Sequence, residues 1–272
     1  MAQDAATYAE PILGRLPVGA IDTTLILKVV EPIWQDKTVT ASRVRQRLES
    51  VLDFAKVRTW REGDNPARWR GHLDHILPKP REIAPVEHYR AMPFNAVPAF
   101  MAKLRRRDDV AARCLEFLIL TATRSNEARG ARWPEVSGDV WTILPGRMKA
   151  EREHRVPLSR AALAVLDRIE RQGDFVFPGR GGAIGDTAIG ELLGAKDGTV
   201  HGFRSAFRDW AAEQTNFPRE VIELALAHAV GSATERAYWR GDLLEQRRPL
   251  MESWARFVGG ERGKVIDLKK RA

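Results

Sequence analysis

The sequence is poor in cysteine: 272 residues contain one, Cys114. An intrachain disulfide is excluded, so the fold must rest on its core. Cys114 sits in the apolar run CLEFLIL, which reads as a core thiol and fits a reducing compartment. Long hydrophobic stretches are also missing. No apolar run approaches the ~18 residues of a membrane span, and Met1 to Tyr8 is too polar for a signal peptide. No Gly-x-x-x-x-Gly-Lys-Ser/Thr run occurs, so VFPGRGGAIG reads as a turn-rich loop and not as a nucleotide cradle. His72 and His75 lack a third ligand, and no carboxylate set is spaced to hold Mg²⁺. Neither a metal nor a cofactor is expected. Tyrosine is scarce as well, with only Tyr8, Tyr89 and Tyr238.

Positive charge is plentiful. Lys plus Arg number 44 against 36 Asp plus Glu, a formal net charge of +8. That excess favours a polyanionic partner, because each neutralised phosphate releases condensed counterions. The length suggests about two domains, and hydrophobic residues at 44% suffice for their cores. In the first third, Thr23 to Ile33 reads as a helix N-capped by Asp22. Thr40 to Phe54 reads as a second, with an apolar stripe at Val44, Leu48, Val51 and Leu52 and with Arg43, Arg45 and Arg47 on its other faces. Arg58 and Arg61 follow, interleaved with Trp60 and Trp69. A helical module with basic exposed faces suits a DNA backbone, and these five arginines are its candidate contacts. The alternative is a merely solvated charged face. Prolines 78, 80, 85, 93 and 98 mark a linker. The expected division is a helical DNA-binding domain over 1–85, a linker over 86–95, a second domain over 96–260 and a basic tail over 261–272.

The second domain opens with helices over Ala96–Arg106 and Asp109–Thr123. The latter is apolar almost all round, as a central helix is. Arg124 follows it at once, Ser125 can cap a short next helix, and Glu127 is near enough to hold a guanidinium. Between Asp139 and Leu158 the period shifts toward two. Val140–Leu144, Arg147–Lys149 and His154–Pro157 are expected as a small antiparallel sheet, with Lys149 before an AERE turn and His154 structural. Helices are expected over Ser159–Arg171, Asp186–Leu193 and Asp242–Phe257. His201–Glu213 has an apolar face at Phe203, Ala206, Phe207 and Trp210, which leaves His201, Arg204 and Arg208 together on another side. Val221–His228 repeats the pattern and ends on its histidine. Tyr238 lies ten residues beyond.

The His-x-x-Arg box at His201 and Arg204, the Leu-x-His element at Leu226 to His228, and Tyr238, in this order and spacing, resemble the carboxy-terminal half of the tyrosine recombinases, the phage integrase family. TATRSNE resembles that family's Thr-Gly-x-Arg-x-x-Glu box at Arg124 and Glu127, with Ala122 in place of the usual glycine. MKAEREHRVPLS looks like the hairpin that carries its catalytic lysine, here Lys149. The resemblance implies a mainly α fold with a small antiparallel β-sheet: a helical core-binding domain followed by an α+β catalytic domain. Residues 8–85 look like most of the core-binding domain without its opening helix. Nothing resembles the arm-binding domain that larger prophage-type members carry ahead of it. The sequence therefore reads as a fragment or shortened variant with a loosely ordered amino end.

The implied function is site-specific recombination for integration or excision of a mobile element. The implied partner is double-stranded attachment-site DNA, met by a homo-tetramer that is a monomer when free. Accessory DNA-bending or directionality proteins, and a place at the bacterial nucleoid in the cytoplasm, go with it. Competing expectations are DNA relaxation of the type IB topoisomerase kind and a DNA-binding remnant that cannot recombine. The chemistry suits the residue types. A phosphodiester gains negative charge as it becomes five-coordinate, and arginine forks fit two phosphate oxygens while staying protonated. Arg124 and Arg204 are the expected clamp, with His228 adding a hydrogen bond. Tyr238 is the expected nucleophile, His201 its base and Lys149 the acid for the leaving oxygen. The carboxy-terminal helix is expected to pack either on a neighbouring protomer, as in related recombinases, or within its own chain.

Overall fold

A computed structural model describes residues 2–84, 91–194, 197–230 and 241–261. Tyr238, the first half of the expected linker and the tail beyond 261 lie outside the described residues. Two units are distinguished, residues 1–88 and 89–272. The fold is mainly helical with a small antiparallel sheet, as the sequence predicts.

In the first unit, α1 (Ala2–Tyr8) and α2 (Glu10–Leu13) lead into α3 (Thr23–Trp34), α4 (Thr38–Val57) and α5 (Pro80–Ile83). Asp22 caps α3 by accepting from the Leu25 N–H at 2.9 Å. The apolar faces of α3 and α4 bury Ile26, Val29, Val30, Trp34, Val44 and Leu52 together. Residues 2–20 depart from the expected loose end: Ala9 and Leu13 are buried in this core and Tyr8 packs against it, which offsets the entropy of ordering them. Val51, assigned to the buried stripe of α4, is instead exposed. Arg45 is a second correction. It lies inside the unit, where its guanidinium donates to Glu49 at 2.6 Å and to the Ala67 carbonyl at 2.7 Å, so it ties the 60s loop to α4. Arg61 is likewise buried and donates to the Asp64 carbonyl. Of the five candidate DNA contacts, Arg43 and Arg58 are exposed and Arg47 is half-buried.

The second unit is built around α7 (Val110–Thr121), which follows α6 (Val97–Leu104) and is capped by Asp109. Ten of its twelve residues are buried, because other elements cover it on all sides. Short α8 (Ser125–Arg129) follows. Ser125 is not its cap, as it bonds Asp186; the Glu127 carboxylate takes the Arg124 backbone N–H at 2.8 Å instead. The three-stranded sheet runs β1 (Val136–Ser137), β2 (Val140–Ile143), β3 (His154–Pro157), with Trp141 opposite Val156 and Ile143 opposite His154. Arg147–Lys149, expected as a strand, forms no strand. Pro145 starts a helical turn there, and the Arg147 guanidinium folds inward onto the Glu135 carboxylate and the Glu127 carbonyl. Lys149 is left exposed on the β2–β3 loop.

Next come α9 (Arg160–Leu166), a small hairpin of β4 (Pro178–Gly179) and β5 (Gly182–Ala183), α10 (Asp186–Gly190), α11 (Gly202–Gln214), α12 (Arg219–Ala225) and α13 (Leu244–Val258). Helix α13 packs within its own chain. Trp254 meets Phe207 and Trp210, and its indole N–H donates to the Ile119 carbonyl of α7 at 2.7 Å. Arg247, fully buried, donates to the Arg155 carbonyl and to Asp242, which anchors α13 on β3.

Two alanines close helices in the left-handed conformation, Ala122 after α7 (φ 51°) and Ala227 after α12 (φ 50°). A Cβ disfavours that conformation by about 1–2 kcal/mol, and glycine is the usual occupant. Ala122→Gly and Ala227→Gly are each expected to stabilise the second unit by about 0.5–1 kcal/mol, read as a higher thermal midpoint. An unchanged midpoint would mean that the strain is relieved elsewhere. His154 supplies a pH test. Its ring is pushed down to about 3, first by burial and then by the charges of Arg247, Arg204 and Arg124. The unfolded chain would protonate this ring below about 6.5, so between about 6.5 and 3 the unfolded state binds the extra proton. Stability should fall as pH is lowered through that window. His154→Gln is expected to flatten the slope of unfolding free energy against pH there; an equal slope would contradict the assignment.

Candidate active site

Arg204 sits on the first turn of α11, with His201 immediately before the helix. The apolar face of α11, Phe203, Ala206, Phe207 and Trp210, is buried in the core and fixes the rotation of the helix. Arg204 is only 4% exposed, deeper than the expected outward-facing side of the helix. Its guanidinium donates to the Ala122 carbonyl at 2.6 Å and the Leu226 carbonyl at 2.5 Å. Each carbonyl lies two residues before another candidate: Ala122 before Arg124, Leu226 before His228. One buried side chain therefore ties the ends of α7 and α12 to the start of α11. Burial, then the nearby charge of Arg124, lowers the Arg204 guanidinium to about 10, still charged at neutral pH.

Arg124 is one-quarter exposed and donates to Glu127 at 2.7 Å. Glu127, nearly fully buried, holds this guanidinium with one oxygen and the Arg124 backbone with the other. His228 lies just past α12, with its Nδ1 2.6 Å from Glu223 and its Nε2 3.3 Å from Arg204. His201 is exposed at the start of α11. Its pKa is lowered, first by desolvation and then by the positive charges of Arg204 and Arg124, with His228 and Lys149 adding to the effect. The neutral imidazole, able to accept a proton, is thereby favoured. Arg124, Lys149, Arg204 and His228 thus all lie within electrostatic reach of His201, although a hairpin, two helix ends and two helix starts supply the five.

A cavity of about 460 Å³ opens beside His228, and Met148, His154, Leu224 and Arg247 also line it. Val230 and Gly241 line it too, and they bracket the stretch that carries Tyr238. Among the described residues no group of three His, Cys, Asp or Glu side chains is placed to hold a metal ion. No helix among them is long and apolar enough to cross a membrane. Sequence reasoning missed Glu223. It stands five residues before His228 on the polar side of α12 and belongs to no motif, so only the fold reveals its contact with the ring.

Comparison with known proteins gives this arrangement its context. The family described as "Phage integrase central domain" matches residues 1–72, and that described as "Phage integrase family" matches residues 90–243. Prophage integrase IntA of Escherichia coli (strain K12) is 30% identical, over 94% of this chain and 64% of its own length. Prophage integrase IntZ of the same strain is 33% identical, over 90% of this chain and 62% of its own. The chain thus spans less than two thirds of these relatives. Among solved structures, a lambda integrase dimer bound to a COC′ core site shares the fold with a TM-score of 0.62 at 14% identity, covering 84% of this chain and 86% of that one. The Tn1549 transposon integrase in complex with transposon right end DNA gives 0.57 at 12% identity, covering 93% and 91%. With more than half of its length matched by the family and the first-arginine, His-x-x-Arg and Leu-x-His elements gathered around one buried guanidinium, the chain belongs to the phage integrase family.

Proposed function

We propose that this chain carries the core-site-binding and catalytic parts of a site-specific DNA recombinase that cuts and rejoins DNA through a 3′-phosphotyrosyl intermediate, for integration or excision of a mobile element. The observation that carries the proposal is the gathering of Arg124, Lys149, His201, Arg204 and His228 around one spot. Such a density of cationic and imidazole groups, with Glu127 and Glu223 holding Arg124 and His228, suits one phosphodiester better than any neutral substrate. Membership of the phage integrase family supports the same reading and does not favour the topoisomerase-like alternative.

In the proposed reaction the Tyr238 oxygen attacks the scissile phosphorus. His201, held toward its neutral form, takes the phenolic proton. Arg124 and Arg204 stabilise the charge that builds on the non-bridging oxygens, and the His228 hydrogen bond goes through Nε2 to the Arg204 guanidinium, which it holds in place. The P–O bond to the 5′ oxygen breaks, and Lys149 supplies the proton that makes a 5′ hydroxyl. The phosphotyrosyl link conserves the bond energy, so a second strand's 5′ hydroxyl can reverse the step without ATP. Tyr238 itself lies outside the described residues.

Double-stranded attachment-site DNA is the proposed partner, with Arg43, Arg47 and Arg58 as backbone contacts from the first unit. Four copies of the chain would act on two duplexes. The matched lambda integrase is known as a tetramer bound to a Holliday junction, and its fold is the one seen here. Association with the bacterial nucleoid follows from that partner.

A nicked suicide substrate tests the proposal. The unaltered protein is expected to become covalently attached to DNA, and Tyr238→Phe to abolish the adduct while leaving the gel shift intact. A gel shift with no adduct from the unaltered protein would make the chain a DNA-binding remnant. Arg124→Ala and Arg204→Lys are expected to slow adduct formation by about 10² or more, with DNA affinity changed only a few-fold. Near-normal cleavage by either variant would remove that residue from the phosphate clamp. Since the His201 pKa is lowered by desolvation and neighbouring positive charge, the loss of cleavage on acidification should begin below the ordinary imidazole range.

A further inference from the structure

Glu223 faces two donors. One carboxylate oxygen accepts from Arg208 Nε at 3.0 Å, and the other meets His228 Nδ1 at 2.6 Å. Arg208 stands one turn after Arg204 on α11, so the carboxylate bridges α11 and the end of α12. On its far side the His228 ring meets Arg204 Nη2 through Nε2 at 3.3 Å. An arginine N–H can only donate. Nε2 is therefore an acceptor in this arrangement, and the ring proton sits on Nδ1, donated to Glu223. Salt bridges between exposed groups contribute little to stability, and Arg208 is half-exposed. The geometry of the pair accordingly suggests a use other than holding the helices together.

We propose that Glu223, itself held by Arg208, is a positioning residue that fixes the tautomer and orientation of His228, so that the Nε2 lone pair accepts from Arg204 and holds that guanidinium in the phosphate clamp. The inference rests on the recombinase reading for its catalytic consequence, but its structural content is independent of it. The arrangement requires two acceptor oxygens, one for each donor. Only a carboxylate offers both. A glutamine of the same shape has one acceptor oxygen and one N–H₂ group. With Arg208 claiming the oxygen, the amide N–H would face Nδ1, drive the ring proton to Nε2 and set donor against donor at Arg204. Holding an imidazole in one tautomer through a carboxylate is a strong catalytic lever, because the other tautomer would turn a donor toward Arg204 in place of an acceptor.

The test reads the ring and the reaction separately. Nitrogen NMR of histidine-labelled protein, with His228 assigned by the signal lost in His228→Gln, reports which ring nitrogen carries the proton at a pH where imidazoles are neutral. The unaltered protein is expected to show the Nδ1–H form. Glu223→Gln, nearly identical in volume, is expected to show the Nε2–H form. It should also form the covalent adduct about tenfold or more slowly, with DNA affinity within about twofold. Adding Arg208→Ala to Glu223→Gln frees the amide oxygen to turn toward Nδ1, so the Nδ1–H form should return. A contact that only braced the fold would not be repaired by losing a second partner. The Nε2–H form in the unaltered protein, an unchanged tautomer in Glu223→Gln, or no return in the double variant would each overturn the proposal. If the unaltered protein forms no adduct, the recombinase reading falls, and the tautomer measurements still decide the role of Glu223.

Discussion

The second unit depends on one buried guanidinium. Arg204 accepts the cost of leaving water because two carbonyls meet it, those of Ala122 and Leu226. Removing one partner from such an arrangement strands a buried charge or leaves carbonyls unpaired, and both are costly. The carbonyls are available because α7 and α12 each end there, and the last carbonyls of a helix have no partner within it. Ala122 and Ala227 turn the chain left-handed at these ends, at a conformational cost that a glycine would not incur. Strain of this kind persists where the surroundings over-determine it, and here it aims two helix ends at one arginine. Arg124 and His228, two residues further along each strand of chain, are delivered to the same place as a consequence.

That delivery collects a cationic and an imidazole group in one place, each braced by a carboxylate. Glu127 and Glu223 hold the cationic and imidazole groups from behind: one grips Arg124, the other His228. Arg204 and His201 both have lowered pKa values, with burial or desolvation the first cause and neighbouring positive charge the next. In the proposed reaction, cations fixed against their mutual repulsion would stand in place before the phosphate binds. Electrostatic catalysis needs this, since groups already in place cost no reorganisation when charge develops. The core supplies the rigidity. Trp254, Phe207 and Trp210 lock α13 and α11 together, and the Trp254 indole reaches the Ile119 carbonyl three residues before Ala122.

Much of this was legible in the sequence, for identifiable reasons. The 3.6-residue apolar period placed α3, α7 and α11 to within a residue or two, and Asp22 announced the start of α3. The spacing of His201, Arg204, His228 and Tyr238 carried the family. What sequence could not supply was which charged groups turn inward. Arg45 and Arg61 read as a basic DNA-facing stripe, yet both are buried; an arginine has a long apolar stem and a head that any nearby carbonyl or carboxylate can draw in. Arg147 sat in a two-residue alternation and reads as strand, but Pro145 and Glu135 redirect it. Glu223 was invisible because its partners, Arg208 and His228, come from two elements that only the tertiary fold brings together. The alanine at position 122 looked like a mild departure from glycine, whereas the backbone there keeps the glycine conformation with a Cβ in place.

The central claim is that Arg124 and Arg204 act by countering charge on one scissile phosphate. A substrate with a neutral methylphosphonate at that position measures it directly, because the charge the arginines would neutralise is gone. The account expects Arg124→Ala to cleave the methylphosphonate substrate at nearly the rate of the unaltered protein, although it is impaired on the natural phosphate. An equal impairment on both substrates would contradict it, because Arg124 would then be doing something other than meeting phosphate charge.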